Sequence, residues 1–429
     1  MLEDFEGIAP AQQIERIREY INLLSGKRLL HINSTAIGGG VAEILNRLIP
    51  LSNEIGMNTG WEVIPGTHEF FAVTKTVHNA LQGGKVPWTK TMENVYKRYT
   101  KDNFKRFLSE GRFYGDIIII HDPQPAGMIP LIKEQFPEKK IIWRCHIDLS
   151  SPHYRVWSFI RNYVRYADLA IFHIPEFIPK DLDMPKVIMP PSIDPLSPKN
   201  IELPQGFVYA VLDKYGIDKA RPVILQISRF DMFKDPKGVI EAFSLVRESV
   251  DAQLVFAGAM ATDDPEGMAI LEDVKKEVVG EPDIHILELA ATPIRENHLE
   301  VNALQRAAAI ILQKSLREGF GLTATEGMWK GKPVVAGNVG GLRYQIMDGV
   351  TGYLVGDVDK NGNLEYSKEE SAGRIKSLLV HPEEAERMGK RAREYVRNNL
   401  LITRHLADYL ELACWLLLDK PYSGKILSS

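Results

Sequence analysis

Apolar positions along this chain form two series of short runs, each run separated from the next by a helical repeat. Residues 11–24 place apolar side chains at helical spacing, and residues 28–33 read as a strand. A helix opened by glycines follows over 34–45. Further strand-like runs fall at 60–64, 116–121, 140–146, 168–172 and 186–189. Their near-continuous Ile and Val content implies strands covered on both faces, and hence a parallel sheet. The stretch Pro190-Pro-Ser-Ile-Asp-Pro-Leu-Ser-Pro198 interrupts the pattern with four prolines in nine residues and reads as an interdomain connection. A second series follows at 222–227, 252–257, 284–287, 309–312 and 333–336. A last helix, about 403–418, has a mostly apolar face. The pattern predicts an α/β chain of two doubly wound, Rossmann-like domains facing a cleft, with boundaries at 1–196 and 197–401.

Length supports two domains, because single cores rarely grow past about 250–300 residues, and this chain has 429. Hydrophobic content of 45% and charged content of 25% suit a globular protein. A net charge of −4 gives no global attraction to nucleic acid or to an anionic membrane. An anionic substrate must therefore be held by local positive groups. Cys145 and Cys414 lie in apolar surroundings and provide neither a metal site nor a disulfide framework. A reducing, cytoplasmic setting is expected. The acidic, polar start does not read as a secretory signal, and no apolar run approaches the roughly 20 residues of a membrane span.

The stretch with the most chemistry is Ser315-Leu-Arg-Glu-Gly-Phe-Gly-Leu-Thr-Ala-Thr-Glu-Gly327, between a buried strand and a helix. Gly319 and Gly321 permit a tight turn and close backbone approach. The first helix amides, about Leu322 and Thr323, have no partner within the helix and suit a phosphate. Glu318 and Glu326 flank that anion site, where carboxylates are unfavourable for the anion itself and would grip neutral hydroxyls. A nucleotide-sugar presents this order of hexose, phosphates and ribose. The alternative is a βα turn with two surface glutamates. Ser228-Arg-Phe-Asp-Met-Phe-Lys-Asp-Pro-Lys-Gly238 follows the first strand of the second domain, and its Arg229 and Lys234 could pair with a pyrophosphate. In open α/β sheets ligands lie beyond the carboxyl ends of strands. That rule also selects Gly38-Gly39-Gly40, His121-Asp-Pro-Gln-Pro125, Arg144-Cys-His-Ile-Asp-Leu-Ser150 and the strand ending at Leu287. Asp122 and Asp148 could equally cap turns. The pairs Asp181/Asp183 and Asp357/Asp359 have D-x-D spacing but read as exposed turns, so no metal is expected.

The E-x7-E element and the R-x4-K pair resemble the signature of retaining glycosyltransferases of GT-B architecture. Asn33-Ser-Thr-Ala-Ile-Gly-Gly-Gly-Val-Ala-Glu43, Val63-Ile-Pro-Gly-Thr-His68, Cys145-His-Ile-Asp-Leu-Ser150 and Gln226-Ile-Ser-Arg-Phe-Asp231 narrow that resemblance. Together they resemble the archaeal trehalose glycosyltransferring synthases, with fungal-type trehalose phosphorylases as near relatives. The resemblance implies that residues 402–429 form a helix returning to the N-terminal acceptor domain. It implies catalytic roles for His146, Arg229, Lys234 and Glu318. Donor contacts are implied at Gly39, Gly40, Arg229, Lys234, Leu287, Gly319, Phe320, Gly321, Leu322, Thr323 and Glu326, and acceptor contacts at Asp122 and Gly39. The implied substrates are UDP-, ADP- or GDP-glucose and free glucose, joined as α,α-trehalose with retention by a same-face mechanism, without a tightly bound cofactor. A trehalose phosphorylase, a sucrose- or glucan-forming glucosyltransferase, a hydrolysing epimerase and a silent nucleotide-sugar sensor are the competing readings. The apolar last helix leaves room for a homodimer.

Overall fold

The structure, a computed structural model, describes residues 2–36, 39–259, 265–290, 293–358 and 364–427. Gly38 of the glycine triplet and Asp359 of the second acidic pair lie outside the described residues. The chain divides into two compact units, residues 1–192 with 402–429, and residues 193–401. The first crossing falls inside the proline-rich stretch, a few residues before the boundary read from the sequence. Ile193 already belongs to the second unit, where its N–H donates to Leu400 O at 2.9 Å. Asp194 then closes a turn there, accepting from the N–H of Leu196 and the side chain of Asn200.

In the first unit β1 (Arg28–Asn33), β2 (Asn58–Val63), β3 (Ile117–His121), β4 (Lys140–Arg144), β5 (Leu169–Phe172) and β6 (Lys186–Ile188) form a parallel sheet. Its order is β6-β5-β4-β3-β1-β2, and a short strand, Ile426–Leu427, adds antiparallel to β6. All five residues of β3 are buried, as a strand covered on both faces requires. Helix Ile402–Leu418 docks on helix Ala11–Leu23 of this unit through buried Leu406 and Leu410. Thr403 donates to Gln13 at 2.6 Å, and Glu411 takes Arg16 at 2.7 Å and Tyr20 at 3.0 Å. The last helix thus returns to the first domain as expected.

The second unit contains β7 (Val223–Ile227), β8 (Gln253–Ala259), β9 (Ile284–Leu289), β10 (Ile310–Gln313), β11 (Val334–Gly337) and β12 (Gly352–Val355), all parallel. Their order is β12-β11-β10-β7-β8-β9. β12 was not foreseen, since a four-residue run after the Asp348-Gly349 turn is too short to show periodicity. A two-residue strand at Asp357–Val358, paired with Leu364–Glu365, replaces the expected turn. In each unit the chain winds outward both ways from two central strands, β1 and β3 in the first and β7 and β10 in the second. Ligands of doubly wound sheets bind at the carboxyl ends of such a pair.

Candidate active site

The β7/β10 switch point brings two sequence motifs together. Lys234, on the loop after β7, places its ammonium 2.5 Å from Glu318 on the turn after β10. The same Glu318 oxygen accepts from Gln313 at 3.1 Å and Ser315 at 3.2 Å. A second tie, Leu316 N–H to Phe233 O at 2.8 Å, fixes one loop against the other. Asp235 turns the chain directly after Lys234 in left-handed backbone (φ 48°) and caps the next helix. Lys314, fully buried, ion-pairs with that aspartate. Arg229 stands out to solvent, with 68% of its side chain exposed. At 3.9 Å from Asp231 it is only loosely paired, whereas the Lys234 ammonium is held by Glu318.

Gly321 takes φ 87° and starts helix Leu322–Trp329 without a side-chain cap. Among the described residues the amides of Leu322 and Thr323 find no acceptor. The turn is clamped by buried Gln345, which donates to Phe320 O and accepts from Thr325 at 2.7 Å. Close packing there requires Gly341, because a Cβ would overlap the Phe320 Cα. The Phe320 side chain is buried, so only its backbone can meet a donor. Glu326 is 4% exposed, accepts from Gln305 at 3.2 Å and lies 3.6 Å from Lys199. Leu287 sits on β9, the outer strand, where half of the backbone groups lie off the ladder.

The first unit holds the remaining residues. Gly39 (φ 78°) opens helix Gly39–Glu54, with Gly40 exposed beside it. Asp122 follows β3 in left-handed backbone (φ 63°), a conformation costly for a non-glycine residue. Its carboxylate accepts the His146 N–H at 2.7 Å, and burial pushes its pKa up to about 7. His146 follows β4, and burial, with Arg144 adding to it, holds the imidazole well below its usual value. Both of its ring nitrogens are engaged, one with His121 at 2.9 Å and one with His173 at 3.0 Å. Asp148 is a turn cap, taking the Ser150 N–H at 2.8 Å. Sequence reasoning passed over His31, His173, Gln313, Gln345 and Lys199, and selected the loop at His121 without giving its ring a role. The available signal was that His31, His121 and His173 sit in or directly after predicted strands.

A family model of the trehalose synthase N-terminal domain matches residues 31–179, and one of glycosyl transferases group 1 matches residues 211–395. The trehalose synthase of Pyrococcus horikoshii is 44% identical over 414 residues, 96% of this chain and 95% of that one. The chain belongs to the trehalose synthase family. It is a trehalose-related glycosyltransferase of GT-B fold. The trehalose phosphorylase of Pleurotus pulmonarius is 30% identical over 426 residues, 89% of this chain and 56% of its own length. Among solved structures, the Anabaena protein HepE in complex with UDP and glucose superposes with a TM-score of 0.63 at 14% identity. That match covers 90% of this chain and 99% of HepE. The residues around β7 and β10 fall within the glycosyl transferases group 1 match, and those beyond β1, β3 and β4 within the trehalose synthase N-terminal match. Among the described residues no helix is long and apolar enough to cross a membrane.

Proposed function

We propose that this trehalose synthase family member transfers glucose from a nucleoside diphosphate glucose to the anomeric hydroxyl of free glucose, giving α,α-trehalose with retention. The observation that carries the reading is the Lys234–Glu318 pair beside the open amides of Leu322 and Thr323. It sets an anion site and a hydroxyl acceptor next to each other at one switch point. HepE, which shares the fold, is known with UDP and glucose bound, and this supports a nucleotide-sugar donor. The bond from glucose C1 to the β-phosphate oxygen breaks as the bond to the acceptor oxygen forms on the same face. The acceptor proton passes to the leaving phosphate oxygen, so the products are trehalose and the nucleoside diphosphate. Lys234, Arg229 and the two amides offset the charge that develops on that phosphate. Glu318 orients the hexose and Glu326 the ribose.

The test is a product assay with UDP-, ADP- or GDP-glucose, each with and without free glucose. Glucose-dependent release of the nucleotide together with a non-reducing disaccharide is the expected result. A second reading, phosphorolysis of trehalose, draws support from the Pleurotus relative, and inorganic phosphate would use the same cations and amides. Glucose 1-phosphate formed from trehalose and phosphate, with no turnover of any nucleotide sugar, would replace the first reading by the second.

A further inference from the structure

Four histidines cross the first sheet, the first three offset by two residues at each step and the last two level. His31 on β1 is paired in register with Ile119 of β3, and two residues beyond Ile119 lies His121. His121 is paired with Arg144 of β4, and two residues on lies His146. Arg144 is paired with Ile171 of β5, and two residues on lies His173. Steps of two keep side chains on one face of a sheet, so each ring meets the next. His31 Nδ1 lies 2.9 Å from His121 Nε2, His121 Nδ1 lies 2.9 Å from His146 Nε2, and His146 Nδ1 lies 3.0 Å from His173 Nε2. The first three rings lie nearly parallel, 24° and 14° between planes, with centroids 5.2 Å apart at each step, and the fourth meets His146 edge-on. Tyr409 packs edge-on against His31 from the returning helix, and His405 stacks on Tyr409.

Proton counting restricts this array severely. Burial, with the Arg144 cation close by, holds His31, His121 and His146 far below the usual imidazole pKa, so these rings are neutral near pH 7. A neutral ring has one N–H and one bare nitrogen. Three neutral rings supply three protons; the two bonds among them take two, and the third stands at an end, on His31 Nε2 or on His146 Nδ1 toward His173. Only two arrangements satisfy every bond: all protons on Nδ1, or all on Nε2. The tautomer of His146 is therefore tied to that of His31, two rings away. A sugar hydroxyl that reaches His146 must share one of its two bonds, and the polarity of the array decides whether it meets an N–H or a lone pair.

We infer that His31, His121 and His173 are positioning residues for His146, the four rings forming one hydrogen-bonded array and the first three sharing a single polarity. The catalytic half of this inference rests on the catalytic role that the family resemblance implies for His146 in the proposed reaction. Full-length protein carrying ¹⁵N-histidine reports each ring's tautomer through its two-bond proton–nitrogen pattern, with His146 assigned from the spectrum of His146→Asn. In the wild type, His31, His121 and His146 should show one common tautomer. His31→Leu removes the constraint at one end of the array, so His146 should no longer hold a single tautomer, and kcat should fall about tenfold with the donor KM little changed, as for loss of an outer partner that orients a working ligand. His31→Asn puts an amide near the Nδ1 position and should restore both. Should His31→Leu fail to fold, His173→Leu and His173→Gln make the same comparison from the other end, the glutamine amide standing in for Nε2. A folded leucine variant whose His146 nitrogen shifts and kcat match wild type would overturn the inference. Absence of transfer by the wild-type protein with every donor would instead remove the proposed function, and the spectra would still decide the array.

Discussion

Lys234 and Glu318 were expected to serve different parts of a donor, the lysine its phosphates and the glutamate its hexose. In the structure each offsets the other, and Gln313 and Ser315 hold the carboxylate on the same oxygen. In the proposed reaction, a phosphate arriving at Lys234 would release the glutamate toward hydroxyls as it takes the ammonium. Replacing Lys234 with Ala should lower kcat/KM on the order of 10²-fold, the usual loss for a charge partner of the transition state. Steady-state rates with the active donor check this, and an unchanged rate would take Lys234 out of the mechanism. Asp122 poses a separate residue-scale question. Burial raises its pKa to about 7, above the ordinary 3.8, so the folded chain holds that proton more tightly than the unfolded one. Its contribution to stability is fully present below about pH 4 and is lost as pH rises through about 7. Asp122→Asn keeps an acceptor for the His146 N–H but cannot ionise. Between pH 6 and pH 8 wild type should lose about 1.4 kcal/mol relative to this variant. Calorimetry of both proteins across that range measures the difference, and parallel curves would show that Asp122 is ionised throughout.

At the scale of elements, two glycines set how closely the site loops leave their strands. Gly258 on β8 lies against the carbonyl of Ser228, the first residue after β7, and Gly337 on β11 lies against the carbonyl of Ser315 beyond β10. A Cβ at either position would overlap backbone rather than a movable side chain. Gly258→Ala should therefore cost about 1–3 kcal/mol as an overpacked site, and should also weaken nucleotide binding by shifting Arg229 and Lys234. Urea midpoints and calorimetric titration with the nucleoside diphosphate check the two effects together. A variant as stable as wild type with unchanged affinity would mean that the β7 loop is set by Asp231 and Asp235 alone. Neither glycine was singled out from the sequence, because each acts on a neighbouring strand. The same limit explains most of what was missed. Strand positions, the turn at 318–322 and the Arg229/Lys234 loop were legible because they depend on local apolar runs, glycines and charges. The Gln345 clamp, the Lys199 contact with Glu326 and the histidine array depend on which elements become neighbours, and periodicity along the chain does not carry that.

Across the whole molecule the buried imidazoles make the two units unequal toward acid. His31, His121, His146 and His405 all belong to the first unit, and burial lowers each of them, His31 to about 3. When this unit unfolds, all four rings regain an ordinary pKa near 6.5 and take up protons. A lowered folded pKa gives stability that is present above 6.5 and is lost as pH falls toward the folded value. Asp122 opposes this with one proton held by the folded state between about 4 and 7. With four lowered imidazoles against one raised carboxyl, unfolding takes up protons on balance as pH falls below 6.5, and the first unit loses stability. Domains are commonly stable by only about 5–15 kcal/mol, so acidification from pH 7 to pH 5 should remove much of the first unit's margin. In the second unit His285 is also lowered by burial, but it is a single half-buried ring and supports a far shallower slope. Peptide-resolved hydrogen exchange at pH 7 and pH 5, corrected for intrinsic rates, should show β1, β3, β4 and β5 losing protection while β7, β8 and β10 keep theirs. Replacing His31 with Asn should reduce the loss by about one proton's share, near 1.4 kcal/mol per pH unit. Unchanged protection of β1, β3, β4 and β5 at pH 5 would show that the buried rings gain protons within the folded state. His31, His121 and His146 would then be charged, and the two-arrangement argument for the array's shared polarity would fail with it.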